Sequence, residues 1–147
     1  KTSDIARMIY LGLSYNNKVR NVLEIGTGSG WQSALLSKIY HRVYTIEIDR
    51  EAYLFSSNIL KNISNKISHK HGDGKLGWID AGPFDAIYID CCLEQEPEYL
   101  YSNLVKDEGV LVAANKYDNK QYYCSCLPHS GKGLVKSNFE INRTLLL

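Results

Sequence analysis

The residues best suited to chemistry stand in one short stretch. In Val22-Leu-Glu24-Ile-Gly26-Thr27-Gly28-Ser29-Gly30-Trp31 an apolar run ends in an acid, passes through three alternating glycines and opens into a helical pattern. A second apolar run ends at Glu47. Glycine lets a backbone turn sharply and approach a ligand that a Cβ would exclude. The spacing G-x-G-x-G differs from the dinucleotide pattern G-x-G-x-x-G, in which a pyrophosphate sits on a helix N-terminus. An acid just before the glycines repels a phosphate and suits a cation.

S-adenosylmethionine meets that charge logic, since it carries a sulfonium and an α-ammonium and no phosphate. Glu47, about 20 residues beyond Gly26, stands where an acid at a second strand end accepts hydrogen bonds from ribose hydroxyls. The plainer reading of Glu47 is a solvated acid at a helix start. His71-Gly-Asp73-Gly74 offers a carboxylate for an adenine amino group, or simply an Asp-Gly turn. Asp90 closes the run Phe84-Asp-Ala-Ile-Tyr-Ile-Asp90, beside a sulfonium or capping a turn. With Asn115 it makes a thin oxygen set for a divalent metal, which Mg²⁺ would need to be near-octahedral. His69-x-His71 has zinc-like geometry but no third ligand, and His129 and the Cys124/Cys126 pair are likewise read as structural.

Acids at successive strand ends require elements that put them there. Thr2 to Leu13 reads as a helix with Ile5, Met8, Ile9 and Leu11 to Leu13 on its apolar face. Strands follow at Val22–Ile25, Val43–Ile48, Ser68–His71, Phe84–Asp90 and Gly109–Ala114. Helices fall between them, at Trp31–Tyr40 with Ala34, Leu35 and Ile39 on one side, from Asp49 or Arg50 to about Asn62, and at Pro97–Leu104. Tyr122–Leu127, Gly133–Val135 and Phe139–Leu147 read as short antiparallel edge strands. The pattern predicts an α/β fold: a doubly wound, mainly parallel sheet with helices on both faces and an antiparallel C-terminal edge. Ligands of such sheets lie outside the carboxyl ends of the strands.

The totals narrow the class. The 147 residues predict a single domain, and 44% hydrophobic with 22% charged residues is ordinary for a globular chain. A net charge of +1 gives no electrostatic case for nucleic acid or a membrane surface. No Asn-Pro-Pro-Tyr-type base-flipping motif is present. No apolar run reaches spanning length and no signal peptide is visible, so a cytoplasmic protein is expected, with its four cysteines reduced. The chain opens on Lys1, and the expectation is a domain lacking its N-terminal part.

With these residues assembled, the chain resembles the protein-L-isoaspartate O-methyltransferases. The resemblance rests on Val22 to Gln32, on Arg42-Val-Tyr-Thr-Ile-Glu-Ile48, on His71-Gly-Asp-Gly-Lys-Leu-Gly-Trp78 and on Pro83-Phe-Asp-Ala-Ile87. It implies a Rossmann-like fold and transfer of a methyl group from S-adenosylmethionine to L-isoaspartyl carboxylates in damaged proteins; a monomer is expected. It implies that Glu24, Gly26, Thr27, Gly28 and Ser29 surround the methionine part of the cofactor. Glu47 and Ile48 would hold the ribose, Asp73 and Gly74 the adenine, with Asp90 nearby. Lys1-Thr2-Ser3 stands where the family carries Thr-Ile-Ser, which makes Ser3 the substrate-side residue. The chain departs from the family pattern at Asp90-Cys91-Cys92 (commonly Thr-Ala-Ala) and at Ala113-Ala-Asn115 (usually Pro-Val-Gly). The departures keep two other readings in view. One is a metal-assisted small-molecule O-methyltransferase; the other is a cofactor-binding module without isoaspartyl activity.

Overall fold

The computed structural model describes residues 2–93, 95–127 and 133–141. Helix α1 (Thr2–Tyr15) leads into an alternation of β1 (Asn21–Ile25), α2 (Trp31–Ile39), β2 (Arg42–Glu47), α3 (Arg50–Ile63) and β3 (Ile67–His71). A short 3-10 turn at Ile79–Ala81 precedes β4 (Phe84–Cys92), α4 (Glu98–Asn103), β5 (Val105–Tyr117), β6 (Lys120–Cys126) and β7 (Val135–Ile141). The strands form one sheet in the order β3-β2-β1-β4-β5-β6-β7. The first five pair in parallel, and β6 and β7 are antiparallel additions. The order reverses between β1 and β4, which opens the crevice of a doubly wound sheet there.

Strand periodicity assigns the side chains to two cores. Val22, Val43, Ala86, Tyr88, Val110 and Val112 face Met8, Ile9 and Leu11 of α1 and Leu36 of α2. Leu23, Ile46, Ile87, Ile89 and Leu111 face Leu100 and Leu104 on and after α4. Both faces of the central strands are covered, so their sequences run almost continuously apolar.

Two anchors hold the amino edge of the sheet. The Asp85 carboxylate, buried in β4, accepts from the backbone N–H groups of Arg20 (3.1 Å) and Asn21 (2.8 Å) and pairs with Lys106 Nζ at 2.9 Å. The Asn16 amide donates to the Asp85 carbonyl at 3.1 Å, which pins the end of α1 to the same edge. Helix α1, about 20 Å long at 1.5 Å per residue, therefore carries its first turn toward the carboxyl edge.

The structure corrects the sequence reading at several points. The buried residues of α2 are Gln32, Ser33, Leu36 and Ser37, while Ala34, Leu35 and Ile39 are half-buried. The reason is polar: Ser33 serves a buried acid described below. Strand β5 starts at Val105 rather than Gly109, because Val105 pairs with Phe84 ahead of a register shift. Strand β4 likewise runs on to Cys92. Gly133 and Leu134 precede β7 instead of forming a strand, and residues 128–132 and 142–147, including His129, lie outside the described residues.

Helix α1 crosses Tyr88 closely at Gly12, where an added Cβ would stand 2.8 Å from Tyr88 Cζ. Gly12→Ala is expected to destabilise the fold by about 1–3 kcal/mol through overpacking, read by urea denaturation. Unchanged stability would contradict the docking of α1.

Candidate active site

The glycine turn joins β1 to α2 at the carboxyl edge. Gly26, Gly28 and Gly30 have φ of 94°, 52° and 82°, a region L-residues with a Cβ rarely adopt. Their surroundings separate their roles. A Cβ on Gly30 would press on Leu60 at 3.1 Å, so this glycine lets α2 approach α3. Among the described residues, a Cβ on Gly26 or Gly28 would meet no atom within 4 Å other than those of its chain neighbours, so these two border open space. Gly28 and Ser29 are exposed, whereas the Thr27 hydroxyl turns inward to Thr45 Oγ1 at 2.6 Å. Helix α2 has no side-chain cap, so its first-turn N–H groups remain available.

Parallel register fixes the acids around this turn. Glu24 pairs with Thr45 on β2 and with Tyr88 on β4. One pleat further toward the carboxyl edge, the same face carries Glu47 on β2, and Asp90, in the irregular stretch of β4 between Ile89 and Cys92, stands close enough for its charge to act on Glu24. Glu47 is only 6% exposed. Its Oε2 accepts from Gly28 N at 2.7 Å and its Oε1 from Asp49 N at 2.9 Å. The carboxylate thus ties the end of β2 to the glycine turn and is not the solvated helix-start acid; Asp49 fills that place as the N-cap of α3, accepting from Ala52 N. The neighbouring Ile48 is 68% exposed, an apolar side chain standing at the rim.

Glu24 lies beneath the turn at 0% exposure. Ser33 Oγ and Thr45 Oγ1 both donate to its Oε2. Burial pushes this carboxyl up from its ordinary value of 4.5 to about 8. The Ser33 and Thr45 hydrogen bonds oppose the rise, and the negative charges of Asp90 and Glu47 add to it. Glu24 is therefore mainly protonated at neutral pH in the free chain, which alters the expectation of a plain negative charge before the glycines.

The third strand end is built differently. Gly72 N bonds to the Glu47 carbonyl at 2.9 Å, which draws the 72–74 loop toward β2. Asp73 is exposed and accepts from Lys75 N at 2.9 Å through Oδ1, an Asx turn. Gly74 is required by packing, since a Cβ there would collide with Ile25. The His69 and His71 rings pack on Tyr53 at 4.5 and 5.5 Å, and His69 Nδ1 lies 3.0 Å from Ser57 Oγ. Burial lowers the His69 pKa.

Ser3 is exposed in the first turn of α1, the end that points to the carboxyl edge. Asn115 Oδ1 accepts from Lys116 N, and among the described residues no three His, Cys, Asp or Glu side chains are grouped to hold a metal ion. A hollow of about 610 Å³ at the opposite edge is lined by Asn16, Lys18, Asp107 and Glu108, among others, and contains none of these site residues. Sequence reasoning missed Thr45 and Ser33, and it named Thr27 without the inward turn of its hydroxyl. The signal for Thr45 lay in the parallel pairing of the first two strands, which sets a threonine beside an acid.

The strand order, the glycine turn after β1 and the acid ending β2 define a Rossmann-like methyltransferase fold. A solved protein-L-isoaspartate O-methyltransferase shares it with a TM-score of 0.81 at 20% identity, over 95% of this chain and 45% of the other. So does a Plasmodium falciparum protein described as a putative protein-L-isoaspartate O-methyltransferase in complex with S-adenosyl-L-homocysteine, with a TM-score of 0.67 at 19% identity over 93% of this chain and 68% of that one. The sequence profile of the protein-L-isoaspartate(D-aspartate) O-methyltransferases matches residues 4–141, and the chain belongs to that family. A Pseudoalteromonas atlantica protein-L-isoaspartate O-methyltransferase is 35% identical over 140 residues, 95% of this chain and 65% of that protein. One from Vibrio parahaemolyticus is 45% identical over 96 residues, 65% of this chain and 46% of its own length. The chain thus spans about half to two thirds of the relatives it matches. Among the described residues, no helix is long and apolar enough to cross a membrane.

The buried acid has a pH signature. The native state keeps the Glu24 proton between about 4.5 and 8 while the unfolded chain gives it up, so stability falls as pH rises through that window. Urea denaturation at pH 5 and pH 8 is expected to show a larger loss for the wild type than for Glu24→Gln. Parallel losses would show that Glu24 is not buried as a neutral acid.

Proposed function

We propose that this chain binds S-adenosylmethionine over the glycine turn and serves methylation of L-isoaspartyl carboxylates in damaged proteins. The observation that carries the cofactor reading is the open space over Gly26 and Gly28, bordered by acids from two neighbouring strands. A Cβ at either glycine would enter that space without touching protein, as expected where a ligand approaches the backbone. The donor set suits the group: carboxyls for a cation, uncapped α2 N–H groups for its carboxylate, and the apolar Ile48 beside Glu47 for a nucleoside. Family membership supports the isoaspartyl substrate.

When bound, S-adenosylmethionine supplies an activated methyl group for in-line displacement. The residues of this chain have little acid–base work to do, because a carboxylate acceptor with a pKa near 4 is already ionised at neutral pH. Their contribution is alignment, worth up to roughly 7–11 kcal/mol in well-oriented systems. Glu47 holds the turn through Gly28 N and keeps lone pairs for ribose hydroxyls. Asp73 has its Oδ2 for the adenine amino group. Gly26, Gly28 and Ser29 line the methionine end, and the main chain of Thr27 joins them while its hydroxyl braces Thr45. Asp90 contributes negative charge, and Gly74 seats the adenine loop on Ile25. The Ser3 hydroxyl orients the acceptor carboxylate from the end of α1.

Calorimetry with S-adenosylhomocysteine, beside methyl transfer to an isoaspartyl peptide and its normal aspartyl counterpart, tests the reading. Binding is expected, with transfer to the isoaspartyl peptide alone. Glu47→Ala should weaken binding by about 1–3 kcal/mol, and Ser3→Ala should lower turnover at unchanged cofactor affinity. No binding, or equal transfer to both peptides, would overturn it.

A further inference from the structure

Glu24 touches no reacting atom in the mechanism above, yet its environment is specific. Its Oε2 takes two hydroxyl donors, Ser33 from α2 and Thr45 from β2, while its Oε1, fully buried, has no hydrogen-bond partner among the described residues. The charged groups that act on it are Glu47 of β2 and Asp90 of β4, both negative. Tyr88, its register neighbour on β4, is held neutral by burial and shares a hydrogen bond with Tyr40. Ser33 brings α2 to this region without charge. An ionised carboxyl in such a site is costly unless a positive charge stands nearby. The turn directly above it, open at Gly26 and Gly28, is where one would arrive.

We propose that Glu24 is a proton-linked gauge of charge at the glycine turn, losing its proton when a cationic ligand is seated over Gly26 and Gly28 and regaining it when that charge is gone. The proposal rests on the cofactor reading given above. In S-adenosylmethionine the ammonium, sulfonium and carboxylate sum to one positive charge; in S-adenosylhomocysteine the ammonium and carboxylate cancel. The proton released on binding passes to solvent, and Glu24 remains as a carboxylate facing the cation. After methyl transfer the sulfur is neutral, the ionised Glu24 loses its counter-charge, and its reprotonation weakens the hold on the thioether product. Glu24 is thus a positioning residue that favours donor over product.

The test is calorimetry of both ligands at pH 7.5 in phosphate and in Tris, whose different ionisation enthalpies report the protons released. The free carboxyl, titrating at about 8, is then about three quarters protonated. S-adenosylmethionine is expected to release about half a proton or more, S-adenosylhomocysteine clearly less, and Glu24→Gln none with either. Should that variant fail to fold, the wild-type pH series decides. The dissociation constant of S-adenosylmethionine should fall up to about tenfold from pH 6 to pH 7 and level off above pH 8, while that of S-adenosylhomocysteine changes little. Equal release with both ligands, release that persists in Glu24→Gln, or pH-independent binding overturns the linkage and leaves the cofactor reading standing. No binding of either ligand overturns both.

Discussion

Burying a carboxyl group with hydrogen bonds on only one oxygen costs free energy that a fold recovers by leaving the group neutral or by bringing a positive charge to it. Glu24 sits in that position at the end of β1, and much of the site is arranged around it. Ser33 gives α2 a polar buried face. Thr45 on β2 binds the same oxygen, and Thr27 closes the hydroxyl chain from above. The glycines can then be read by function: Gly30 clears a helix contact, while Gly26 and Gly28 leave the space over the acid open. A ligand that fills this space with positive charge completes an electrostatic arrangement the protein alone leaves unbalanced.

The parallel sheet makes the arrangement possible. Because β2, β1 and β4 lie side by side, Glu24 and Glu47 fall on one face through the pleat and Asp90 joins them from the irregular end of β4, without any being adjacent in sequence. The two sheet edges use acids in opposite ways. At the amino edge Asp85 is fully employed by two backbone N–H groups and Lys106, an anchor with no spare charge. At the carboxyl edge the Glu47 carboxylate accepts from Gly28 N of the turn and from Asp49 N but keeps lone pairs at the rim, and Glu24 keeps a whole oxygen in reserve among the described residues.

Much of this was legible in the sequence. Apolar runs of strand length alternating with helical patterns gave the layer order, and Glu47 ends β2 as expected, while Glu24 lies one residue inside the end of β1 and Asp90 two inside the end of β4. What escaped was non-local. The polar face of α2 cannot be inferred from helical periodicity, because Ser33 and Gln32 are buried by a partner on another element. Asp85 carries no local signal, since its acceptor role depends on amides some 65 residues away. Lys106-Asp-Glu108 reads as a loop, yet lies within β5 because the register shift after Phe84 lets Val105 pair early. Asp73 and Gly74 show a local signal with a different cause: the turn is an Asx turn, and the glycine answers to Ile25.

The central claim is that the open glycine turn over the buried acid is the seat of a cationic nucleoside donor. A crystal structure with S-adenosylmethionine tests it most directly. The account predicts density across Gly26 and Gly28 with the ribose hydroxyls on Glu47. Density confined to the hollow at the amino edge, or a filled turn with Glu47 pointing away from the ribose, would contradict it.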